Sequence, residues 1–552
     1  MLINKSFENR DIKTSNTIQE VHIGSLIFSL NKEENTADVI GNDSAKGDII
    51  IPKTIKYINQ EFTVTTIKES SFQKSQVRSI QFPADSEVRT IERGSFASPL
   101  LKSLTLPASV AGLDRGWCFE LPGLTKVRVH ESSRRYKMRG KFIIGKSDPK
   151  SDRFDVLVFA CRDMKSAVIP PSIARIDPYA FAYTKIEKIE IPPHITEICE
   201  GAFFNCKQLR KIDIPDDSQL RVVGRRSFYN TKIEKMSIPS FTELREGWRA
   251  AALKLGAIRV IECKQAGQRN ISCYEDKFIV GKSDSKSDNF DVLIFAFRDI
   301  KSAAIPPFIR RISPYAFAYT KIESIEIPSH ITEICEGAFF NCTQLRKIEF
   351  PEISELKAIG KGAFANSKIE YFTIPSHVKE ICSDTFSFCF QLQKVDIQKN
   401  SELQKIEKNA FRCSLVESVT IPSGAALADG WCIGTSRLAN VQIAEDSRRN
   451  LSYHENKFLL GKTCPGGGEF DVLEFARRDA KLAAVPPFVK RIGSYAFAYT
   501  QIDSIIIFSL CANLRVIEIE ENSSMQSKNI FKFENKNAVI MIPVKMFDHL
   551  SL

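Results

Sequence analysis

Residues Lys141–Thr184 read KFIIGKSDPKSDRFDVLVFACRDMKSAVIPPSIARIDPYAFAYT, and this stretch decides the fold because the chain contains it three times. The second copy is Lys277–Thr320 and the third is Lys457–Thr500. Their starts lie 136 residues apart (277 minus 141) and then 180 residues apart (457 minus 277). Repetition of this kind indicates stacked structural units that form one continuous body.

A shorter unit fills the chain around these copies, and it is clearest in IEKIEIPPHITEICEGAF at Ile186–Phe203. Its I-x-I core has period two, which predicts a short strand with one buried face. The proline that follows ends the strand because it has no N–H to donate. The Ala-Phe pair then fills the interior from the far side. The Phe recurs at alternating spacings within runs: Phe72, Phe96, Phe181, Phe203, Phe228, Phe317, Phe339, Phe364, Phe386, Phe411 and Phe497.

These units predict a leucine-rich-repeat solenoid. Each repeat is expected to be a β-strand plus a short irregular or 3-10 turn, with a parallel β-sheet on the concave face. Three hairpin-like enlarged units interrupt it, each with two apolar strands around a polar loop (Ser147–Arg153, Ser283–Asn289 and Thr463–Glu469). We expect a capping segment at 1–48, one continuous solenoid domain at 49–507, and a degenerate repeat with a C-terminal cap at 508–552. Within the first cap, SLIFSL and the residues after it predict two strands around a polar turn.

The pattern I-P-x-x-I-x-x-I-x-x-x-A-F-x-x-C, together with DVLVFACRD…IPPSI…YAFAYT, resembles the BspA-like leucine-rich repeats of the Treponema pallidum type. Surface antigens of trichomonad protists carry repeats of this kind. The resemblance covers roughly residues 49–507. It implies a non-catalytic surface antigen or adhesin that binds a protein or glycan ligand on a host cell surface or matrix. The alternative function is an intracellular leucine-rich-repeat interaction scaffold.

Charge and hydropathy limit the partners and the location. The 77 basic residues are balanced by 66 acidic ones and are dispersed along the chain, so we predict no nucleic-acid partner. The N-terminal residues MLINKSFENRDIKTSN lack the pattern of a signal peptide, and apolar runs such as Val156–Cys161 are too short to span a bilayer. We therefore expect no membrane span. A cell-surface location is implied by the resemblance, and a cytoplasmic location is the alternative.

One short motif matches a phosphate-binding loop, namely GKFIIGKS at Gly140–Ser147. Such a loop must lie between a strand and a helix N-terminus. Here the match runs through a predicted strand, and its first glycine is replaced by Asp276 and Asn456 in the other copies. We predict no nucleotide and no cofactor.

Carboxylates cluster in the polar loops, with Asp148, Asp152 and Asp155 in the first. Spaced carboxylates bind Ca²⁺ in some loops, but this spacing is not that of an EF-hand, and a solvated turn is the simpler interpretation. We predict no metal site. His194, His330 and His377 recur at one position of the repeat without a partner nucleophile, so we also predict no enzyme activity.

The chain has 14 cysteines, and three pairs share one spacing: Cys199/Cys206, Cys335/Cys342 and Cys382/Cys389. No C-x-x-C pair occurs, which argues against zinc. We interpret the paired cysteines as buried core residues; a disulfide within each unit is the alternative and requires an oxidising compartment.

Each tryptophan replaces Phe in the last unit before a long copy, at Trp117, Trp248 and Trp431. We interpret these rings as core residues that fill a wider gap, and the alternative is a ligand-stacking role.

The strand positions between the isoleucines point to solvent. Since neighbouring strands lie about 4.8 Å apart, these positions form a Lys-rich row beside an acidic row. One interpretation is that the rows neutralise each other and keep the sheet soluble; the other is a polar recognition face. We predict ligand binding at Glu187, Lys188, Glu190, Arg210, Lys211, Asp213, Glu323, Glu326, Arg346, Lys347, Glu349 and Tyr371.

Overall fold

The computed structural model describes residues 18–250, 252, 254–262, 269–284, 286–464, 468–479 and 482–500, and four further strands beyond residue 500. Across these residues the regular structure is entirely β, without a helix. The chain forms two compact units, Met1–Leu255 with Ile261–Ala266, and Gly256–Val260 with Gly267–Leu552.

The strands of the first unit are short and are joined by turns. They are β1 (Ile18–Ile23), β2 (Leu26–Asn31), β3 (Thr36–Asn42), β4 (Lys46–Ile50), β5 (Thr54–Tyr57), β6 (Gln60–Ile67), β7 (Gln76–Gln81), β8 (Thr90–Ile91), β9 (Ser103–Leu106), β10 (Gly112–Leu113), β11 (Lys126–Val129), β12 (Tyr136–Arg139), β13 (Phe142–Gly145), β14 (Val156–Ala160), β15 (Arg175–Ile176), β16 (Lys188–Glu190), β17 (Glu197–Ile198), β18 (Lys211–Asp213), β19 (Val222–Val223), β20 (Lys235–Pro239) and β21 (Glu243–Leu244). Next in the chain is β22 (Ala257–Ile261).

The second unit repeats the same kinds of strand. They are β23 (Ile271–Tyr274), β24 (Phe278–Gly281), β25 (Val292–Ala296), β26 (Arg311–Ile312), β27 (Ser324–Glu326), β28 (Glu333–Ile334), β29 (Lys347–Glu349), β30 (Ala358–Ile359), β31 (Tyr371–Ile374), β32 (Glu380–Ile381), β33 (Lys394–Ile397), β34 (Lys405–Ile406), β35 (Ser418–Pro422), β36 (Ala426–Leu427), β37 (Asn440–Ala444), β38 (Ser452–His454), β39 (Phe458–Gly461), β40 (Val472–Ala476), β41 (Leu482–Val485), β42 (Arg491–Ile492), β43 (Ser504–Ile507), β44 (Ile517–Glu518), β45 (Phe531–Phe533) and β46 (Ile540–Met541).

Within each unit, successive coils hydrogen-bond to one another at three kinds of edge. The I-x-I strands form one parallel ladder, as in β16 with β18. The following I-x-x-I segment, which we expected to be irregular, forms a second parallel ladder of two-residue strands, β15-β17-β19-β21 and β26-β28-β30-β32-β34-β36. At the third edge the turn before the buried Phe also pairs between coils, for example from Phe203 N to Ser227 O at 2.8 Å.

The predicted phenylalanines form the core, and all of them are buried. In the first unit Phe181 stacks on Phe203 and Phe203 on Phe228, with ring centroids 5.1 and 5.6 Å apart and planes within 12°. The Phe317, Phe339, Phe364, Phe386 and Phe411 rings continue in the same stacked manner in the second unit. Offset stacking of this kind adds to the area that each ring buries.

A perpendicular ring terminates each stack at both ends. Phe142 of β13 meets Phe181 edge-on, and Trp248 meets Phe228 edge-on. In the second unit Phe278 and Trp431 have the same roles, against Phe317 and Phe411. All three tryptophans are buried, which confirms the core interpretation.

The hairpin-like enlarged units are confirmed, and each contains one more strand than the sequence indicated. β13 and β14 pair antiparallel around the polar loop, and β12 adds antiparallel to β13. β14 then pairs parallel with β15, which joins the hairpin to the second ladder. The strands β23–β25 and β38–β40 repeat the arrangement.

The hairpin predicted in the N-terminal segment is present as β2 and β3. The domain boundaries near residues 48 and 507 stay predictions. Most of the expected C-terminal cap, 508–552, lies outside the described residues. In the part of the chain that the structure describes, no helix has the length and apolar character needed to cross a bilayer.

Candidate functional site: the strand face

The predicted site residues lie on the exposed side of the I-x-I ladders. Eleven of the twelve are exposed, and Asp213 is half-buried. The isoleucines between them, such as Ile189 and Ile212, are buried, because alternate residues of a strand point to opposite faces. We use the name strand face for these twelve residues.

The register of the ladder sorts the strand face into rows of like charge. Lys188 lies opposite Lys211, and Glu190 lies opposite Asp213. In the second unit Glu326 lies opposite Glu349. Ser324, however, lies opposite Lys347, so the acidic row is present in both units and the lysine row in the first unit.

Opposite charges pair along two strands of the strand face, β18 and β29. Lys211 Nζ lies 2.9 Å from Asp213 Oδ1, and Lys347 Nζ lies 2.7 Å from Glu349 Oε1. These exposed pairs contribute little to stability, but they hold each lysine beside the acidic row.

Tyr371 is placed beside the preceding coil by contacts of the adjacent residue, Glu370. The backbone N–H of Glu370 donates to Arg346 O at 3.3 Å, and Arg346 Nη1 lies 3.6 Å from Glu370 Oε1. The Tyr371 hydroxyl donates to Gln393 Oε1 at 2.7 Å. The structure thus brings together the predicted residues within each unit.

The remaining motifs have structural roles. Phe142–Gly145 of the phosphate-loop match is β13, and no helix follows it in the described chain. The Asp155 carboxylate accepts hydrogen bonds from Ser147 N at 2.8 Å and Ser147 Oγ at 2.5 Å, which closes the polar loop. Asp291 does the same for Ser283.

The twelve described cysteines are all free thiols, and the second cysteine of each pair links successive coils through a hydrogen bond. Cys206 Sγ donates to Phe181 O at 3.0 Å, Cys342 Sγ to Phe317 O at 3.1 Å, and Cys389 Sγ to Phe364 O at 3.2 Å. Burial raises the pKa of these three thiols to about 11. The core interpretation is confirmed for them.

Glu380, Cys382 and Glu407 bring their ligand atoms within 4.8 Å of one another. Lys405 Nζ lies between the two carboxylates, at 3.2 Å from Glu380 and 2.8 Å from Glu407. The lysine offsets one of the two negative charges, so the cluster is an ion-pair network on the second ladder.

One exposed feature was missed from the sequence. A cavity of about 330 Å³ lies at the end of the strand face where Arg346 and Glu370 meet, and Phe390 and Leu415 line it. The available signal was the phenylalanine in SFCFQLQ, where the equivalent NCTQLRK has a threonine.

Short coils with in-register parallel strands and a buried residue ladder define the class of leucine-rich-repeat solenoid proteins. Repeats of this class act as scaffolds that bind other proteins.

The chain belongs to the BspA-type leucine-rich-repeat family. The family model described as "BspA type Leucine rich repeat region (6 copies)" matches residues 48–138, 157–248, 310–439 and 475–552, more than half of the sequence. No curated protein shows a significant match.

Among solved structures, the chain is similar to a leucine rich cell surface protein from Faecalibacterium prausnitzii A2-165, with 20% identity, 79% of this chain and 97% of that chain covered, and a TM-score of 0.42. It is similar to the pneumococcal vaccine antigen PcpA, with 14% identity, 90% and 100% covered, and a TM-score of 0.41. A leucine-rich repeat protein from Eubacterium ventriosum has 14% identity, with 79% and 97% covered and a TM-score of 0.39. Likenesses at this level say nothing about a shared ligand.

Proposed function

We propose that this protein is a non-catalytic surface antigen or adhesin that binds a protein or glycan of a host cell or matrix through its strand face. The rows of like charge carry this proposal. Lys188 beside Lys211, and Glu190 beside Asp213, place like charges on adjacent strands, where they destabilise a sheet. Alternating charges would give the same solubility without that cost, so the rows favour recognition of a complementary surface.

The experiment exchanges the two charges of β29, which places a lysine opposite Glu326 in the acidic row, and keeps the composition. In the double variant Lys347→Glu/Glu349→Lys the ion pair within the strand can still form. Binding of the purified chain to host cells and matrix proteins should fall at least tenfold, while the thermal unfolding curve is kept. Lys361→Glu, at an exposed site away from the strand face, is the matched control. Undiminished binding by the row-exchanged variant would remove the strand face from the function.

A second candidate is an intracellular interaction scaffold, and the free cysteines favour it. Structural disulfides are common in secreted proteins and rare in the cytosol, whereas the twelve described thiols are unpaired. Protease treatment of intact cells, followed by an antibody against the exposed loop Ser147–Arg153, separates the two. Loss of the epitope supports the surface antigen, and its survival until the cells are lysed supports the scaffold.

A further inference from the structure

The coil that contains Tyr371 and Phe390 departs from the repeat on its exposed side. Tyr371, Phe388 and Phe390 are 59%, 39% and 54% exposed. At the equivalent positions the preceding coils have Lys347, Asn341 and Thr343. Three aromatic side chains thus replace polar ones on a single coil, and we call them the aromatic patch.

The patch is costly to the fold. Phe388 has a φ of 60°, in the left-handed region where Asn341, with a φ of 57°, is a favoured residue and a bulky ring is not. The exposed ring of Phe390 leaves more apolar surface in contact with water than the threonine at the equivalent position of the other coil would. Neither phenylalanine is therefore explained by a contribution to the stability of the fold.

The patch borders a cavity with an unused hydrogen-bond acceptor. Phe390 and Leu415 line the cavity of about 330 Å³ together with Gln391. The Gln391 Oε1 atom is buried and accepts no hydrogen bond from the described residues.

Two weak ion pairs also line the cavity. Arg346 lies 3.6 Å from Glu370, and Arg437 lies 3.8 Å from Glu417, so neither pair has the short contact of a charge-assisted hydrogen bond. Both arginines are more than half exposed. Either guanidinium can accept a second carboxylate.

A third arginine adds an unbalanced charge. The Arg412 guanidinium lies 5.6 Å from the ring centre of Phe388 and makes no ion pair in the described part of the chain. The patch and its surroundings therefore combine aromatic rings with arginines, which is the composition of energetically dominant sites in protein interfaces. The surplus positive charge favours an acidic partner.

We propose that the aromatic patch and its cavity dock a polypeptide segment of the partner that carries an apolar side chain next to a carboxylate. This inference rests on the proposed binding function and specifies the chemistry of the partner at one end of the strand face. The apolar side chain packs against Phe390 and Leu415, and the carboxylate pairs with Arg412 or Arg437. A neutral glycan is the competing ligand, and the unbalanced Arg412 guanidinium argues against it because a neutral sugar offers no opposite charge.

The experiment uses a random peptide library displayed on phage and selected on the full chain. The comparison is the double variant Phe388→Asn/Phe390→Thr, which restores the residues of the equivalent coil and should fold normally. We expect selected peptides with an aliphatic or aromatic residue beside Asp or Glu. A synthetic copy of one should bind the double variant at least tenfold more weakly. Arg412→Gln, and replacement of the peptide's acid by its amide, should each weaken binding threefold or more.

Several outcomes overturn the proposal. These are no enrichment over background, peptides without a carboxylate, equal binding by the double variant, and a panel of neutral oligosaccharides that bind the chain and lose binding in that variant. The row-exchanged variant Lys347→Glu/Glu349→Lys should keep peptide binding within threefold. Because the selection uses purified protein, its result does not depend on where the protein resides. Failure of the host-binding proposal alone would leave the peptide result unchanged.

Discussion

Tyr179 and Gly201 lie against each other on adjacent coils, and a Cβ built on Gly201 would lie 2.3 Å from Tyr179 Cε1. Gly201 also has a left-handed φ of 59°. The Tyr179 hydroxyl donates to Glu200 Oε1 at 3.1 Å, so the ring is held at both ends. Gly337 has the same relationship to Tyr315, at 2.5 Å.

Gly201→Ala should therefore destabilise the first unit by about 2–3 kcal/mol, the sum of left-handed strain and displacement of the ring. Chemical denaturation measures this loss in the free energy of unfolding. Gly94→Ala is the matched control, because Gly94 has a φ of 55° and nothing within 4 Å of its Cβ position; it should cost only about 1 kcal/mol. Equal losses in the two variants would mean that the ring moves aside freely.

Phe203→Ala and Phe339→Ala should each cost about 3–5 kcal/mol, because each removes a ring stacked on both sides. In a repeat protein the loss should open the neighbouring coils before the distant ones. Hydrogen exchange, measured peptide by peptide, tests whether the coils next to the substitution exchange faster than the distant ones. Unchanged exchange in both variants would place the core elsewhere.

Glu474 makes the stability of the second unit depend on pH. It is buried in β40, where the other copies have Val158 and Ile294. Burial raises the pKa of its carboxyl to about 7; Arg491 opposes this, and Asp429 adds to it. Because the folded pKa is above the ordinary value of 4.5, the neutral carboxyl stabilises the fold below pH 4.5, and this stabilisation is lost as pH rises through 7.

The expected result is a loss on the order of 3 kcal/mol between pH 4.5 and 8 relative to Glu474→Gln, which cannot ionise. Urea titrations at several pH values measure it. Glu469→Gln, at an exposed carboxylate, should keep the pH dependence of the unaltered chain. A Glu474→Gln profile parallel to that of the unaltered chain would contradict the prediction.

Thiol reactivity should follow burial. With iodoacetamide at pH 8, Cys464 is expected to react first among the twelve described cysteines, since it is exposed, and Cys206, Cys342 and Cys389 should remain unmodified in the native chain. Their buried thiols are protonated at that pH and inaccessible. Mass spectrometry of peptides reports each site, and unfolding in guanidinium supplies the fully reactive reference. Fast native alkylation of Cys206 would contradict the structure.

Phe388→Asn should raise the stability of the second unit by about 1 kcal/mol, because asparagine tolerates the left-handed backbone better than phenylalanine. Thermal unfolding measures the change. Phe386→Asn, at the buried position two residues earlier, should instead be strongly destabilising. A destabilised Phe388→Asn would show that the exposed ring contributes to the fold.

The features that repeat with a clear period could be predicted from the sequence. The buried phenylalanines, the I-x-I strands and the hairpins were all predicted correctly, since alternation and the Ala-Phe pair mark them in every copy. The second ladder was missed because two-residue strands such as Glu197–Ile198 are too short to show a period. The strand Tyr136–Arg139 was missed because it pairs only with the hairpin beyond it.

The candidate site was less predictable. The charged rows were found because they recur at fixed positions of the repeat. The cavity at Phe390 is formed by side chains from several coils, and only the three-dimensional stacking brings Arg346 and Arg437 to the same opening. The unpaired acceptor of Gln391 likewise has no signature in the sequence.

The perpendicular rings at both ends of each stack have a consequence for how such a gene changes. Phe142 and Trp248 enclose three stacked phenylalanines in the first unit, whereas Phe278 and Trp431 enclose five in the second. The end rings do not depend on how many rings lie between them. Unequal recombination in phase with a pair of coils would thus lengthen or shorten the exposed ladder in one step. A single recombination event could then change the length of the strand ladder, and each new length would keep end rings that already fit the stack.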